Sequence, residues 1–187
     1  MWTPPISAVV LFFWLWFHRL VVHRGFKDLV DTRGGTSPLT TWGVVIETFT
    51  MATFCLLAPF IPLHEPWAPA MIVGNIGAVL ACGVGLWARR TLGRHFSIHL
   101  TTDKEQGHQL VTAGPYRWVR HPVYTGDLMF HLSVPLITCT YEGLVFSVIY
   151  FLLIRSRMQT EEVMLSSEYP DYGPYMERSH RLIPGVY

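Results

Sequence analysis

The amino-acid sequence predicts an all-α integral membrane protein with about five transmembrane helices. Half of its 187 residues are hydrophobic and only 14% are charged, whereas soluble domains carry about 25% charged residues. Long apolar stretches recur along the chain, and the basic residues are confined to the segments between and after them. These observations disfavour both a water-soluble domain and a disordered chain.

Three apolar stretches in the first half of the chain are predicted to span the membrane. They comprise residues 6–22, 42–62 and 68–88. At a helical rise of about 1.5 Å per residue, each is long enough to cross the hydrocarbon core of a bilayer. The first stretch does not resemble a cleavable signal peptide, because the five residues before it carry no positive charge. We therefore expect it to remain as a membrane helix.

A longer apolar run in the second half predicts two further spans joined by a tight turn. Polar residues interrupt this run between Thr140 and Gly143, which gives spans at about 122–139 and 143–155. The third span also carries small residues at four-residue spacing, a pattern that lets membrane helices pack closely. These small residues are Gly77, Ala81 and Gly85.

The basic residues predict how the chain, taken as a single membrane domain over residues 1–187, is oriented. Every one of its 14 Lys and Arg residues lies in the last turn of an odd-numbered span or between that span and the next even-numbered one, or after the fifth. All of them therefore lie on one side, which basic residues identify as the cytoplasmic side. We predict an N-terminus outside and a C-terminus in the cytoplasm.

Two pairs of ionisable residues have the four-residue spacing of one helical turn. Asp127 and His131 share a face of the fourth span, where they can form either a proton relay or a structural hydrogen-bonded pair. His95 and His99 suit a metal only if their segment is helical. Membrane di-iron enzymes need adjacent His pairs, which the 9 His residues do not form, so we predict no metal. A net charge of +1 gives no support for a nucleic-acid partner.

The densest cluster of functional residue types runs from Gly114 to Gly126. A Gly-Pro turn is followed by two Arg residues, and His121-Pro122 begins a helix with Pro in its first turn. The amides at that helix start, beside Arg120, can receive a carboxylate or another anion. The alternative is a basic membrane-interface segment. Such a segment, however, does not need two prolines and two glycines within thirteen residues.

A second cluster follows the fifth span. Arg157 and Glu161 are four residues apart and share one face if the helix continues beyond the membrane. Such a pair is most often a surface salt bridge that contributes little. If the helix continues, the pair lies level with His121, and groups of opposite charge face one shallow cytoplasmic cavity.

Four blocks of residues occur in order over about half the chain, and together they resemble one family. They resemble the isoprenylcysteine carboxyl methyltransferase and phospholipid methyltransferase family of integral-membrane enzymes. The eukaryotic isoprenylcysteine enzymes carry additional N-terminal spans, so the short bacterial and archaeal relatives fit this length better. The blocks are Leu92-Gly93 with Phe96-Ser97; Gly107 to Val111; Gly-x-Tyr-x-x-x-Arg-His-Pro-x-Tyr from Gly114 to Tyr124; and Arg157-x-x-x-Glu161-Glu162 with the aromatic segment that ends at Arg181-Leu-Ile-Pro184.

The resemblance implies that a cytoplasmic pocket in the C-terminal half, about residues 92–187, encloses S-adenosylmethionine. It also implies that a lipidic or other apolar acceptor enters from the bilayer and that Arg157 contacts this acceptor. The positions implied to hold the cofactor are His108, Gln109, Leu110, Val111, Tyr116, His121, Pro122, Val123, Tyr124 and Glu161.

The residues themselves leave the acceptor and the reaction class open. Methyl transfer mainly requires alignment of two groups and exclusion of water. A carboxylate acceptor needs no base, whereas an amine or a thiol must first lose a proton. The alternative function is an NADPH-dependent membrane reductase of the sterol reductase class, which also has an Arg-His-Pro element but generally has more spans. A non-catalytic membrane scaffold would leave the four ordered blocks unexplained.

Overall fold

The structure is a computed structural model of the chain. It describes residues 67–93 and 109–187, together with four single residues, Ile46, Thr50, Thr53 and Glu65. Apart from Ile46, Thr50 and Thr53, the first two predicted spans lie outside the described residues, as do the three histidines at positions 95, 99 and 108.

The described part of the chain is helical and contains no β-strand, in agreement with the predicted all-α class. A short 3₁₀ turn precedes the second helix, and a single bridge pairs Val119 with His180. The elements are α1 (Ala68–Leu92), the 3₁₀ turn (Gly114–Arg117), α2 (Pro122–Thr138), α3 (Glu142–Glu168) and α4 (Tyr172–Arg178).

Helix α1 is the one described helix that is both long and apolar enough to cross a membrane. Its 25 residues extend about 37 Å. A proline lies in its first turn, and Arg89 and Arg90 lie in its last turn, where they complement the helix dipole. Gly93 ends the helix with a φ of 52°, in the left-handed region that glycine adopts without strain.

Helices α1 and α2 pack closely through their small residues, which confirms the predicted small face of α1. A Cβ atom added to Gly126 would lie 2.9 Å from the carbonyl oxygen of Ala81 and 2.9 Å from the amide nitrogen of Gly85. A Cβ on Gly77 would lie 2.6 Å from the Ser133 hydroxyl. Neither backbone could approach so closely with a larger residue at these positions.

The predicted break between the last two spans is confirmed, and the last helix continues beyond the predicted fifth span. Cys139 ends α2 with a φ of 51°, and α3 begins at Glu142. The sequence predicts a fifth span ending at about residue 155 and leaves open whether its helix continues, and α3 continues to Glu168. The added segment contains neither proline nor glycine and is rich in helix-forming residues, so polarity alone does not end the helix. It ends just before Tyr169-Pro170, because a residue before proline disfavours helical geometry.

The Asp127 and His131 side chains connect α2 to α3. The Tyr150 hydroxyl donates to Asp127 Oδ2 at 3.2 Å, and the His131 ring stacks on the Tyr150 ring with centroids 3.7 Å apart. His131 Nδ1 lies 2.7 Å from the main-chain oxygen of Asp127, and Ser147 donates to the main-chain oxygen of His131. These contacts favour the structural alternative for this pair over a proton relay.

Candidate active site

The backbone around the Arg-His-Pro motif is fixed by hydrogen bonds to the C-terminal tail, which we define as residues 179–187. The Arg120 amide donates to the His180 carbonyl at 2.7 Å, and the His121 amide donates to the Arg181 carbonyl at 3.1 Å. The Thr125 hydroxyl in the first turns of α2 donates to the Leu182 carbonyl at 2.9 Å. The start of α2 and the tail therefore form one unit, against which the far end of α3 packs.

Glu162 on α3 is the centre of a buried ionic cluster and is 7% exposed. Its carboxylate accepts hydrogen bonds from Arg120 Nε at 2.9 Å and from Arg181 Nε at 3.1 Å, with a further contact from Arg181 Nη2. His121 Nε2 lies 3.3 Å from the same carboxylate. Burial opposes the charged form, but the hydrogen bonds from His121, Arg181 and Arg120 outweigh it and lower the pKa of Glu162 strongly.

Glu161, the next residue, has a different set of donors. The Tyr124 hydroxyl donates to its Oε1 at 2.5 Å, and Arg157 Nε donates to the same oxygen at 3.2 Å. His121 Nδ1 lies 3.3 Å from its Oε2. Burial again opposes the charge, yet these partners keep the pKa of Glu161 below its usual range.

His121 therefore bridges the two carboxylates. Each ring nitrogen lies 3.3 Å from a carboxylate oxygen, one on Glu161 and one on Glu162. Only the protonated imidazolium donates from both nitrogens. Burial disfavours that charge, but hydrogen bonds and electrostatic attraction from the two acids raise the pKa of His121 above its ordinary value. Among the residues that the structure describes, three guanidinium groups, those of Arg120, Arg157 and Arg181, contact these two carboxylates.

Three tyrosines lie beside this cluster. The Tyr175 hydroxyl donates to the main-chain oxygen of Tyr116 at 2.7 Å, and burial raises the pKa of Tyr175 to about 12. Burial also raises the pKa of Tyr116, on which the charge of Glu161 acts as well. Tyr172 is 1% exposed, and its hydroxyl has no hydrogen-bond partner among the residues that the structure describes.

The structure brings together four of the residues predicted from the sequence. The side chains of His121, Tyr124 and Arg157 all contact Glu161. Of the other predicted positions, Tyr116 and Pro122 are buried, Val123, Leu110 and Val111 are half-buried, and Gln109 is exposed, while the histidine at position 108 lies outside the described residues.

The sequence analysis did not select Glu162, Arg181 or Tyr172 as site residues. Arg181 and Glu162 were visible only as members of the ordered blocks, and helical spacing places Glu162 about 100° away from the face of Glu161. That rotation directs Glu162 towards the tail and Glu161 towards Arg157. The contact of Glu162 with Arg181 depends on the path of the tail, for which no local sequence pattern exists.

The architecture defines a helical-bundle protein with a charged site where the start of α2, the end of α3 and the tail meet. A solved structure with this fold is that of the eukaryotic intramembrane Ras methyltransferase ICMT. The match covers 98% of this chain and 69% of the solved chain, with a TM-score of 0.66 and 20% sequence identity. The chain belongs to the isoprenylcysteine carboxyl methyltransferase (ICMT) family, whose family model matches residues 72–167.

Individual relatives carry the same family name. The mouse protein-S-isoprenylcysteine O-methyltransferase is 31% identical over 101 residues, which is 51% of this chain and 36% of the mouse protein. A probable protein-S-isoprenylcysteine O-methyltransferase from rice (Oryza sativa subsp. indica) is 24% identical over 184 residues, 92% of this chain and 96% of the rice protein. This chain thus matches about a third of the length of the mouse relative but nearly the whole length of the rice one, so the expectation that eukaryotic relatives are longer is wrong for the rice protein.

Proposed function

We propose that the protein transfers a methyl group from S-adenosylmethionine to the carboxyl group of a lipidic, isoprenylcysteine-like acceptor at a membrane surface. The observation that carries this proposal is the buried cluster of His121, Tyr124, Arg157 and Glu161, which lies in the segments that match the family. The names of the relatives support the same reaction. The comparisons give no support for an NADPH-dependent reductase.

The chemistry of the cluster fits S-adenosylmethionine. The Glu161 carboxylate suits the cofactor's ammonium group, the guanidinium groups suit its carboxylate, and the rings of Tyr116 and Tyr124 offer apolar faces for its adenine. When bound, the cofactor supplies an electrophilic methyl group. The residues that we propose to hold it are His108, Gln109, Leu110, Val111, Tyr116, His121, Pro122, Val123, Tyr124 and Glu161.

We assign Arg157 to the acceptor carboxylate. Its Nε donates to Glu161 at 3.2 Å, so it lies next to the proposed cofactor contact. Electrostatic interaction with Tyr124 and Glu161 outweighs burial and raises the pKa of Arg157, which is charged at any physiological pH. A planar guanidinium can hold a carboxylate in a fixed orientation with two parallel hydrogen bonds. Because a carboxylate is already nucleophilic, the site needs orientation and exclusion of water rather than a strong base.

We propose a location within a membrane, with about five spans, the N-terminus outside and the site on the cytoplasmic side, and the surface of helix α1 supports the membrane location. Helix α1 exposes large apolar side chains along much of its length, among them Ile72, Val79 and Leu80 at 57–66% exposure. Helix α3 has 27 residues, about 40 Å, and is therefore longer than a hydrocarbon core of about 30 Å. Its last turns, with Glu161 and Glu162, would then lie at the membrane surface, where a polar cofactor and an apolar acceptor can meet.

Two measurements on the detergent-solubilised protein test this proposal. The first is isothermal titration with S-adenosylhomocysteine, for which we expect saturable binding. The second is transfer of a labelled methyl group from S-adenosylmethionine to N-acetyl-S-farnesylcysteine, compared with the corresponding amide, which lacks the free carboxyl. Absence of binding at millimolar ligand would refute the cofactor assignment. Equal labelling of the acid and the amide would refute the carboxyl acceptor.

Arg157→Lys tests the role assigned to this residue. Lys keeps the charge but cannot form the two-pronged hydrogen bond. We expect kcat/KM for the acceptor to fall by an amount that corresponds to about 1.5 to 3 kcal/mol of lost transition-state stabilisation. The affinity for S-adenosylhomocysteine should be nearly unchanged. If Arg157 only pairs with Glu161, cofactor affinity will fall as much as turnover. If the acceptor is an amine or a thiol, the substitution will have a smaller effect, and activity will require deprotonation of a group.

A further inference from the structure

Tyr172, the first residue of α4, has a buried hydroxyl group without a partner. The side chain is 1% exposed and its ring packs edge-on against Tyr175, with centroids 5.7 Å apart. Among the residues that the structure describes, no atom forms a hydrogen bond with the Tyr172 hydroxyl, whereas the neighbouring Tyr175 hydroxyl donates to Tyr116. Native proteins rarely leave a buried hydroxyl unpaired, because its desolvation is costly.

The surroundings of this hydroxyl place it at the charged cluster. The charges of Glu162, Arg120 and Glu161 all act on the Tyr172 phenol. Helix α4 is itself tied to the cluster, since Arg120 Nη1 donates to the Met176 carbonyl at 3.1 Å. Helix α4, which carries the unpaired hydroxyl, therefore packs against the charged cluster that contains Glu161, and Tyr175 beside Tyr172 contacts Tyr116; both Glu161 and Tyr116 are residues that we propose to hold the cofactor.

We propose that the Tyr172 hydroxyl forms a hydrogen bond with the bound methyl-donor cofactor; this inference rests on the proposed function. The cofactor is a better candidate than the acceptor because of the position of α4 in the chain. Tyr172 follows the end of α3 at Glu168, beyond the part of α3 that fits within a bilayer core. A polar ligand reaches this position from water, whereas an apolar acceptor enters from the bilayer.

Tyr172→Phe removes the hydroxyl and keeps the packed ring. We expect the Kd for S-adenosylhomocysteine, measured by titration calorimetry, to rise about threefold to tenfold, as for the loss of one hydrogen bond. We also expect the thermal unfolding midpoint of the ligand-free protein to stay unchanged or to rise, because an unpaired buried hydroxyl is removed. Tyr175→Phe is the matched control. It removes a paired hydroxyl and should lower the ligand-free midpoint, with a smaller change in Kd than Tyr172→Phe causes.

The outcomes separate this inference from the proposed function. A wild-type protein that binds S-adenosylhomocysteine, with a Tyr172→Phe variant of equal affinity, would overturn the Tyr172 contact alone. A lowered ligand-free midpoint with unchanged Kd would also overturn it, since the hydroxyl would then be paired within the chain. A wild-type protein that does not bind would overturn the proposed function and this contact with it.

Discussion

The central position of Glu162 predicts that Glu162→Gln destabilises the protein even without a ligand. Glu162 contacts three cationic side chains, those of Arg120, His121 and Arg181. A glutamine keeps one acceptor oxygen, but its NH₂ group would face donors that now point at the second carboxylate oxygen. The side chains of Arg120 and His121 are 12% and 5% exposed, so water cannot replace the lost charge for them.

The size of the effect follows from these exposures. Removing one partner of a fully buried ion pair costs about 3 to 5 kcal/mol. Arg181 is more exposed, at 23%, and can be hydrated, and glutamine still accepts one hydrogen bond. We therefore expect a loss of about 2 to 3 kcal/mol. For a chain of this size, that corresponds to a fall of about 5 to 10 °C in the unfolding midpoint.

The assay is thermal unfolding in detergent, followed by tryptophan fluorescence at one fixed scan rate, because membrane proteins often unfold irreversibly. Glu177→Gln is the control, since Glu177 lies on α4 and is exposed. A Glu162→Gln midpoint within 2 °C of the control, on the scale of about 2 to 4 °C per kcal/mol, would refute the structural role of the cluster.

Three further predictions follow from the site and the helix packing. Glu161→Gln should weaken S-adenosylhomocysteine binding, measured by calorimetry on folded protein, more than Glu162→Gln does, because Glu161 faces Arg157 and Tyr124 rather than the tail. Because the pKa of His121 is raised, its charged imidazolium stabilises the fold. This contribution is fully present below the ordinary pKa of about 6.5 and is lost as pH rises through the raised pKa. The unfolding midpoint should therefore fall as pH rises above about 6.5, and a His121→Gln variant should lack this fall. Gly126→Ala should lower the midpoint because its Cβ would meet the α1 backbone, whereas Gly83→Ala, whose Cβ meets nothing within 4 Å, should not; equal midpoints would contradict the close packing.

The sequence predicted the parts of the fold that depend on local pattern. Apolar length located α1 and α2, the polar interruption near Thr140 located the break before α3, and small residues at four-residue spacing identified the packed face of α1. Whether the helix of the fifth span continues beyond the membrane was left open by the apolar pattern. Its continuation to Glu168 agrees with the helix propensity of the segment and with the position of Pro170.

The candidate site was predicted only in part, for a physical reason. The pairing of Arg157 with Glu161 follows from helical spacing and is confirmed. The bridge that His121 forms between two adjacent acids requires the start of α2 to lie against α3, which no spacing along the chain specifies. The same holds for Arg181, because its place beside Glu162 depends on hydrogen bonds between the tail and the Arg-His-Pro segment.

The dependence of the cluster on the tail has a consequence for synthesis of the protein. Glu162 pairs with Arg120, 42 residues earlier, and with Arg181, 19 residues later. In the membrane topology that we propose, helices α1 to α3 insert one after another as they leave the ribosome, at about 5 to 20 residues per second. The cluster, however, cannot close until the tail has been translated. A nascent chain that stops before residue 179 would therefore have its membrane helices in place while Arg120 and Glu162 remained hydrated, and the ability to bind a ligand would be acquired in the last step of biogenesis.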